Sequence, residues 1–114
     1  MSDPVTEKVW YRSHGSEKGM DLADKVTGLE DRGTLTIDGG EMSYQGKKDL
    51  VSGRVLAVED KMLFNGIGMS RNAQRWVAVG YEADGQSMEA YFRPNNPFKG
   101  HKRLKQALEA AVQA

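Results

Sequence analysis

The chain has 114 residues, with 16 basic and 16 acidic side chains and no cysteine. This length suits one domain with a single modest core. The balanced charge gives no overall attraction to nucleic acid or to an anionic membrane, so any such contact requires a local patch. Without cysteine there is no disulfide framework, thiolate zinc site or cysteine nucleophile. The polar start and the lack of a long apolar run indicate a soluble cytoplasmic protein, and we expect one domain over residues 1–114.

The first part of the chain gives the weakest structural signal. Residues 1–7 are polar and are expected to be disordered, because Val5 alone cannot offset the entropy cost of ordering them. Residues 8–12 contain strand-forming side chains, so they are predicted to form a short strand or an apolar clasp laid on the main body. In residues 21–30, apolar side chains at helical spacing predict one or two helical turns. Residues 8–32 are therefore assigned a strand, a loop and a short helix.

Residues 33–93 alternate between apolar and polar side chains and are punctuated by turn residues, a pattern typical of antiparallel strands. Asp38-Gly39-Gly40 predicts a tight hairpin, and Ala83-Asp84-Gly85-Gln86 predicts a second one. Asp60-Lys61 is predicted to turn the chain between two strands, while Gly66 and Gly68 predict a bulge or a sharply coiled strand. The predicted strands are Gly33–Ile37, Met42–Tyr44, Val51–Glu59, Met62–Met69, Gln74–Glu82 and Ser87–Arg93.

The last segment, residues 99–114, is predicted to be an amphipathic helix. Pro94 and Pro97 end the sheet before it, because proline lacks the backbone donor of a strand ladder. We expect the helix to lie across the open end of a curled sheet, with Leu104 and Leu108 plugging the core. Its apolar face consists of Leu104, Ala107, Leu108, Ala111 and Val112.

Several patterned segments together suggest a known superfold. They are Gly33-x-Leu35-x-Ile37, Met42-x-Tyr44-x-Gly46-Lys47-Lys48, Val55-Leu56-Ala57-Val58, Trp76-Val77-Ala78-Val79, Glu89-Ala90-Tyr91-Phe92 and the closing helix. In order and pattern these segments resemble the pleckstrin-homology-like superfold. The resemblance implies a mainly β fold with α, in which a bent antiparallel sheet or partly open barrel of six or seven strands is capped by a C-terminal helix.

The chain departs from that superfold in two respects. Members that bind phosphoinositides place basic residues around their first hairpin, whereas the hairpin at Asp38 to Glu41 is acidic here. Many pleckstrin-homology domains also carry a tryptophan in the last helix, and this helix has none. The second departure moves the resemblance toward the bacterial and GRAM-like branch.

Two groups of residues are candidates for ligand contact. Cations at the start of the helix oppose its macrodipole, so their placement is locally unfavourable and could signal an anionic partner, although a solvated charged face is the simpler interpretation. Lys47 and Lys48 form a second basic pair, and Trp10 either closes the barrel or marks an interaction surface. The helix-start cluster consists of Lys99, His101, Lys102, Arg103 and Lys105.

Three functions fit these observations. The preferred one is a non-enzymatic binding or scaffold module that engages a protein partner along a sheet edge or beside the helix. The alternative is binding of membrane lipid or another anionic ligand, with localisation at a membrane periphery, and the third is a small β-barrel carrier or enzyme with an internal cavity. No cofactor or metal ion is expected, because His14 and His101 are far apart without acidic residues at ligand spacing. Nucleic acid is disfavoured, and pairing of unpaired edge strands leaves a homodimer open.

Overall fold

The computed structural model of the protein describes residues 4–13, 31–65, 72–95 and 97–113. Within them the chain forms six strands followed by one helix. The elements are β1 (Val5–Ser13), β2 (Asp31–Asp38), β3 (Glu41–Gly46), β4 (Leu50–Asn65), β5 (Asn72–Ala83), β6 (Gln86–Pro94) and α1 (Pro97–Val112).

The strands form a closed antiparallel barrel. Each strand pairs with the next along the chain, and β1 also pairs with β6, which closes the ring. This confirms the predicted class, mainly β with α, in which an antiparallel sheet carries a C-terminal helix. Because closure pairs the first strand on both sides, the described strands expose less unpaired edge than an open sheet would.

Both predicted hairpins are present. β2 and β3 are joined by Gly39 and Gly40, and Gly39 has a positive φ of 61°. β5 and β6 are joined by Asp84 and Gly85, whose φ angles are 53° and 80°. Two successive positive φ angles give the backbone twist that matches two antiparallel strands, and glycine and aspartate adopt such angles more readily than other residues.

The predicted turn at Asp60-Lys61 is wrong. β4 continues through both residues, which pair with Val77 and Trp76 of β5. A polar pair resembles a turn in sequence, but the long ladder offered by β5 keeps the backbone extended here. The predicted bulge or sharply coiled strand at Gly66 and Gly68 lies outside the described residues.

A register irregularity does occur in β4, between Val55 and Ala57. Val55 is buried in the barrel, Leu56 and Ala57 are both exposed, and Val58 packs against the core again. One added residue reverses the alternation of faces, as expected for a bulge. The bulge explains why the four consecutive apolar residues Val55, Leu56, Ala57 and Val58 do not follow the alternation of apolar and polar residues seen in the neighbouring strands.

The structure settles the role of the first segment. The prediction of a strand at residues 8–12 is confirmed, since β1 pairs with β2 and β6. The expectation of disorder through residue 7 is wrong for residues 5–7, which pair with β2. Val5 packs against the core and Glu7 contacts Arg103, so tertiary contacts supply what the local sequence lacks.

Large side chains fill the barrel interior. The rings of Tyr11, Tyr44 and Phe92 meet there from three strands, with centroid separations of 4.9 to 5.6 Å. Burial is the main cause that raises the pKa of Tyr11 to about 12, so this phenol stays neutral at physiological pH. The interior residues of the strands are Val9, Tyr11, Leu35, Ile37, Met42, Tyr44, Val51, Val55, Val77, Val79, Tyr81, Ala90 and Phe92.

The helix closes this core, as predicted. Leu104 and Leu108 are 0% exposed and belong to the same cluster as the barrel interior, together with Ala111. Val112 is 37% exposed, so the buried stripe of α1 is shorter than the sequence pattern indicates. In the described part of the chain, no helix is both long and apolar enough to cross a bilayer.

A second cluster lies on the outer face of the same strands. Leu63, Trp76, Ala78 and Tyr91 are buried there, and Trp10 packs against them. Their neighbours Val77, Val79 and Phe92 face the interior, so β5 and β6 are covered on both sides. Strands covered on both faces have near-continuous apolar sequences, which accounts for the run Trp76–Val79.

The plugging role of α1 leads to a stability prediction. Leu108→Ala should lower the free energy of unfolding by about 2–5 kcal/mol, because it leaves a cavity where the helix meets the barrel. Val112→Ala on the same helix is the matched control and should change it by less than about 0.5 kcal/mol. Urea unfolding followed by circular dichroism measures both. Equal effects of the two substitutions would contradict the assigned packing of the helix.

Candidate functional site

The cations at the start of α1 contact carboxylates of the same chain. His101 Nε2 lies 2.8 Å from Asp60 Oδ1, and Lys105 Nζ lies 3.0 Å from Asp60 Oδ2. Burial opposes ionisation of Asp60, but hydrogen bonds from Lys105 and His101 outweigh it and lower the pKa of this carboxyl. Asp60, at the position predicted to be a turn, therefore joins β4 to the helix.

Arg103 is held in a similar way at the other side of the helix. Its guanidinium makes a two-point contact with Glu7 of β1, with Nε–Oε1 and Nη2–Oε2 distances of 2.6 and 3.1 Å. Lys102 is exposed to solvent, and the side chain of Lys99 lies outside the described residues. Three members of the predicted cluster thus dock the helix onto the barrel instead of forming one open cationic patch.

A different set of cations converges on the outside of the barrel. Lys8 of β1, Arg32 of β2 and Lys47, just after β3, line an open groove of about 440 Å³, which we call the basic groove. All three residues are exposed, and the described residues that line the groove include no aspartate or glutamate. The other lining residues are Val9, Gly33, Thr34, Gln45, Gly46 and Asn95.

Strand register explains why these residues meet. Lys8 lies opposite Thr34, and Thr34 lies opposite Gln45 on the next strand. Trp10 lies opposite Arg32, two residues further along β1 and on the same face. The outward positions of three neighbouring strands therefore form one continuous polar surface.

Arg32 is fixed in place by two contacts. Its guanidinium carbon lies over the Trp10 ring, 4.4 Å from the ring centroid. Its Nη2 donates a hydrogen bond to Asn95 Oδ1 at 3.2 Å. Trp10, a predicted interaction aromatic, is half-buried between this guanidinium and the outer cluster. The face of its ring therefore makes a cation–π contact with Arg32.

The loop that carries Lys47 and Lys48 is anchored by a buried carboxylate. Asp31 is 4% exposed and accepts hydrogen bonds from the Tyr44 hydroxyl at 2.9 Å, from Lys48 N at 3.2 Å and from Asp49 N at 3.2 Å. Lys47 N donates to Arg32 O at 3.2 Å, which ties the loop to β2 as well. These bonds fix the backbone on which Lys47 is mounted.

The anchoring carboxylate is held ionised. Burial disfavours the charged form of Asp31, but the hydrogen bonds from Tyr44 and the loop backbone more than compensate and lower the pKa of this carboxyl. Burial and the Asp31 hydrogen bond raise the pKa of Tyr44, which keeps its hydroxyl available as a donor. Gly46 is required beside them, because a Cβ there would overlap the carboxylate of Asp31.

A second, smaller groove lies where β5 and β6 meet the start of α1. It measures about 270 Å³ and is lined by Gln74, Arg75, Arg93 and His101, with no acidic side chain among these described residues. Arg93 Nη1 donates to Gln74 Oε1 at 2.8 Å, and its guanidinium carbon lies 6.0 Å from the centroid of the Trp76 ring. We call this the strand-end groove.

Sequence reasoning found Lys47 and Trp10 but missed Lys8 and Arg32. Lys48 was also predicted, and its backbone, bonded to Asp31, takes part in the loop anchor. Lys8 and Arg32 are separated by the longest gap between consecutive described strands, so no local spacing relates them. The available signal was the alternation of polar and apolar side chains in Lys8–Arg12 and around Arg32. Once the two strands pair, this alternation places the side chains of Lys8 and Arg32 on the outer face.

Comparison of the chain with protein-family models, with curated proteins and with solved structures finds no significant match. The structure shows a six-stranded antiparallel barrel with a C-terminal helix. Since no match is found, assignment of this architecture to a particular superfold stays a prediction.

The lowered pKa of Asp31 predicts a pH-dependent contribution to stability. A carboxylate that ionises more readily when folded stabilises the fold above its unfolded pKa of about 3.9, and this contribution disappears as the pH falls toward the folded value. Asp31→Asn should therefore destabilise the protein at neutral pH, and the difference from the unsubstituted protein should shrink below about pH 4.

Urea unfolding at a series of pH values measures this difference. The matched control is Asp38→Asn, which changes an exposed aspartate of the same strand and should have little effect at any of these pH values. An Asp31→Asn effect that is constant from neutral to acidic pH would show that the carboxylate is not preferentially ionised in the fold.

Proposed function

We propose that this chain is a non-enzymatic binding module that holds an anionic ligand in the basic groove. The observation that supports this most directly is the convergence of Lys8, Arg32 and Lys47 on one open groove without an acidic residue in its described lining. Cations from separate strands that share a concave surface raise the local concentration of anions.

The groove suits phosphate, sulfate or carboxylate groups. A guanidinium presents a planar set of donors that matches these groups in a two-point contact, while the two lysines add mobile point charges. Trp10 and Asn95 restrict Arg32 before any ligand arrives, so less conformational entropy is lost on binding. The hydrogen bonds from the loop to Asp31 likewise restrict the backbone that carries Lys47 before a ligand binds.

This proposal relocates the predicted anion site. At the helix start, Arg103 and Lys105 already form ion pairs with Glu7 and Asp60, and His101 also contacts Asp60. Binding an external anion there therefore requires breaking internal contacts. The cations of the basic groove have no carboxylate in the described lining to compete with a ligand.

The other two predicted functions gain less support. A protein partner added along a sheet edge needs unpaired backbone, and closure of the ring limits this among the described strands to stretches beyond the ladders, such as β4 from Ala57 onward, which pairs with β5 on one side. An internal carrier or enzyme site needs space inside the barrel, where Tyr11, Tyr44 and Phe92 pack together. We also propose a pleckstrin-homology-like superfold of the bacterial and GRAM-like branch, supported by the order of strands and the capping helix.

An NMR titration of the labelled full chain with inositol hexakisphosphate, at low and then physiological salt, tests the proposed site. We expect localised, salt-sensitive shifts at the amides of Lys8, Arg32 and Lys47. Arg32→Glu should weaken binding by at least about tenfold, which corresponds to about 1.4 kcal/mol. Lys102→Glu, an equal reversal of an exposed charge on α1, should have little effect.

The two substitutions separate the two candidate surfaces. If Lys102→Glu weakens binding and Arg32→Glu does not, the ligand occupies the helix start and the proposal for the basic groove is wrong. Absence of saturable binding for the unsubstituted protein at low salt would reject an anion-binding function altogether.

A further inference from the structure

An exposed leucine lies beside the basic groove. Leu50, the first residue of β4, is 77% exposed and is the most exposed large hydrophobic residue in the described part of the chain. It pairs with Gln45, which lines the groove, and it points outward because its neighbour Val51 is buried in the barrel. Leu50 therefore adds an apolar group to the rim of a cationic surface.

The leucine and the cations share one end of the barrel. β2 begins, β3 ends and β4 begins at this end, where Lys47 N donates to Arg32 O and Gln45 pairs with Leu50. Lys47 and Lys48 lie between β3 and β4, and both are exposed. A broad surface that approaches this end can therefore contact the leucine and the cations together.

The backbone of the loop between β3 and β4 is satisfied within the chain. The N–H groups of residues 46–49 all donate hydrogen bonds, at 2.9 to 3.2 Å. Their acceptors are the backbone oxygens of Asp49 and Arg32 and the buried carboxylate of Asp31. An unsatisfied backbone donor is costly away from water, so this loop can enter the interfacial layer of a bilayer without that cost.

A bilayer suits this arrangement better than a protein partner does. Leu50 protrudes, so a protein partner has to supply a matching pocket, whereas lipid chains accommodate a leucine without a preformed cavity. Acidic headgroups attract Lys8, Arg32 and Lys47 at the same time. Apolar insertion and charge attraction are each weak alone, and membrane attachment usually combines two such signals. The two signals are adjacent in this protein.

We infer that the protein attaches reversibly to the surface of an anionic bilayer through this end of the barrel, with Leu50 inserted below the headgroups and the basic groove facing them. This inference rests on the proposed anion site and specifies its ligand as the anionic headgroups of a lipid bilayer. It puts the membrane contact at the loop after β3 and not at the helix start, where three side chains already contact Asp60 and Glu7.

Sedimentation of the full chain with sucrose-loaded vesicles tests the inference. Vesicles of phosphatidylcholine with and without phosphatidylserine are compared at low salt and at about 0.15 M salt, and we expect binding that requires phosphatidylserine and weakens with salt. Leu50→Asn should weaken binding by about tenfold, because it removes the inserted side chain. Leu56→Asn, which changes an exposed leucine of the same strand outside the groove, is the matched control and should have little effect.

Inositol hexakisphosphate separates insertion from anion binding. Leu50→Asn should leave the affinity for this soluble anion unchanged, whereas Arg32→Glu should weaken binding of both the anion and the vesicles by at least about tenfold. Asp49→Asn removes the exposed acidic side chain of the loop and should strengthen vesicle binding. Circular dichroism of each variant checks that the fold is intact.

A fluorescent label measures insertion directly. The chain has no cysteine, so Leu50→Cys provides a single attachment point for an environment-sensitive fluorophore. Its emission should shift to shorter wavelength on phosphatidylserine vesicles, and lipids with a nitroxide on the acyl chain should quench it. Leu56→Cys labelled in the same way should show neither change. An unshifted label at position 50 on vesicles that bind the protein would overturn the inference.

The remaining outcomes distinguish this inference from the proposed function. Binding of inositol hexakisphosphate without vesicle binding, or vesicle binding that Arg32→Glu weakens and Leu50→Asn does not, would overturn the inference and leave the anion site standing. Binding of polyglutamate in place of vesicles would overturn it in favour of an acidic protein segment. Failure of the vesicles, polyglutamate and inositol hexakisphosphate alike would overturn both proposals.

Discussion

The architecture depends on the pairing of β1 with two strands. Contacts with β2 and β6 close the sheet into a ring and turn Val9 and Tyr11 toward the core. The same pairing places Trp10 on the outside between two arginines. Because side chains alternate along a strand, one register therefore determines both the interior packing and the cationic exterior. A shift of one residue would exchange the buried and exposed sets and remove both features at once.

The ionic groups of the protein fall into two functional kinds. Asp60 and Glu7 neutralise cations at the start of α1 and hold the helix over the barrel, where Leu104 and Leu108 complete the core. Such contacts are partly solvated, so they contribute less to stability than the buried leucines do. The cations of the basic groove have no such partner in its described lining, and their arrangement is consistent with binding an external anion.

The candidate site is held by contacts of its own chain, among them the buried carboxylate of Asp31 and the half-buried ring of Trp10. Asp31 fixes the loop after β3 through three donors, and Trp10 and Asn95 restrain Arg32. A buried carboxylate is costly unless hydrogen bonds satisfy it, so the loop and the carboxylate stabilise each other. Preorganisation of this kind reduces the entropy cost of binding, and it places structural residues directly beneath functional ones.

Local patterns in the sequence determined the hairpins at Gly39 and Gly85, the alternation of most strands and the buried face of α1 through Leu104 and Leu108. These features follow from backbone conformation and periodicity, which depend on near neighbours. Only the tertiary structure decided that Asp60 lies within a strand, that three side chains at the helix start contact carboxylates of the barrel, and that Lys8 and Arg32 meet. Each of these depends on contacts between residues far apart in the chain, where strand register and the distribution of opposite charges leave no local signature.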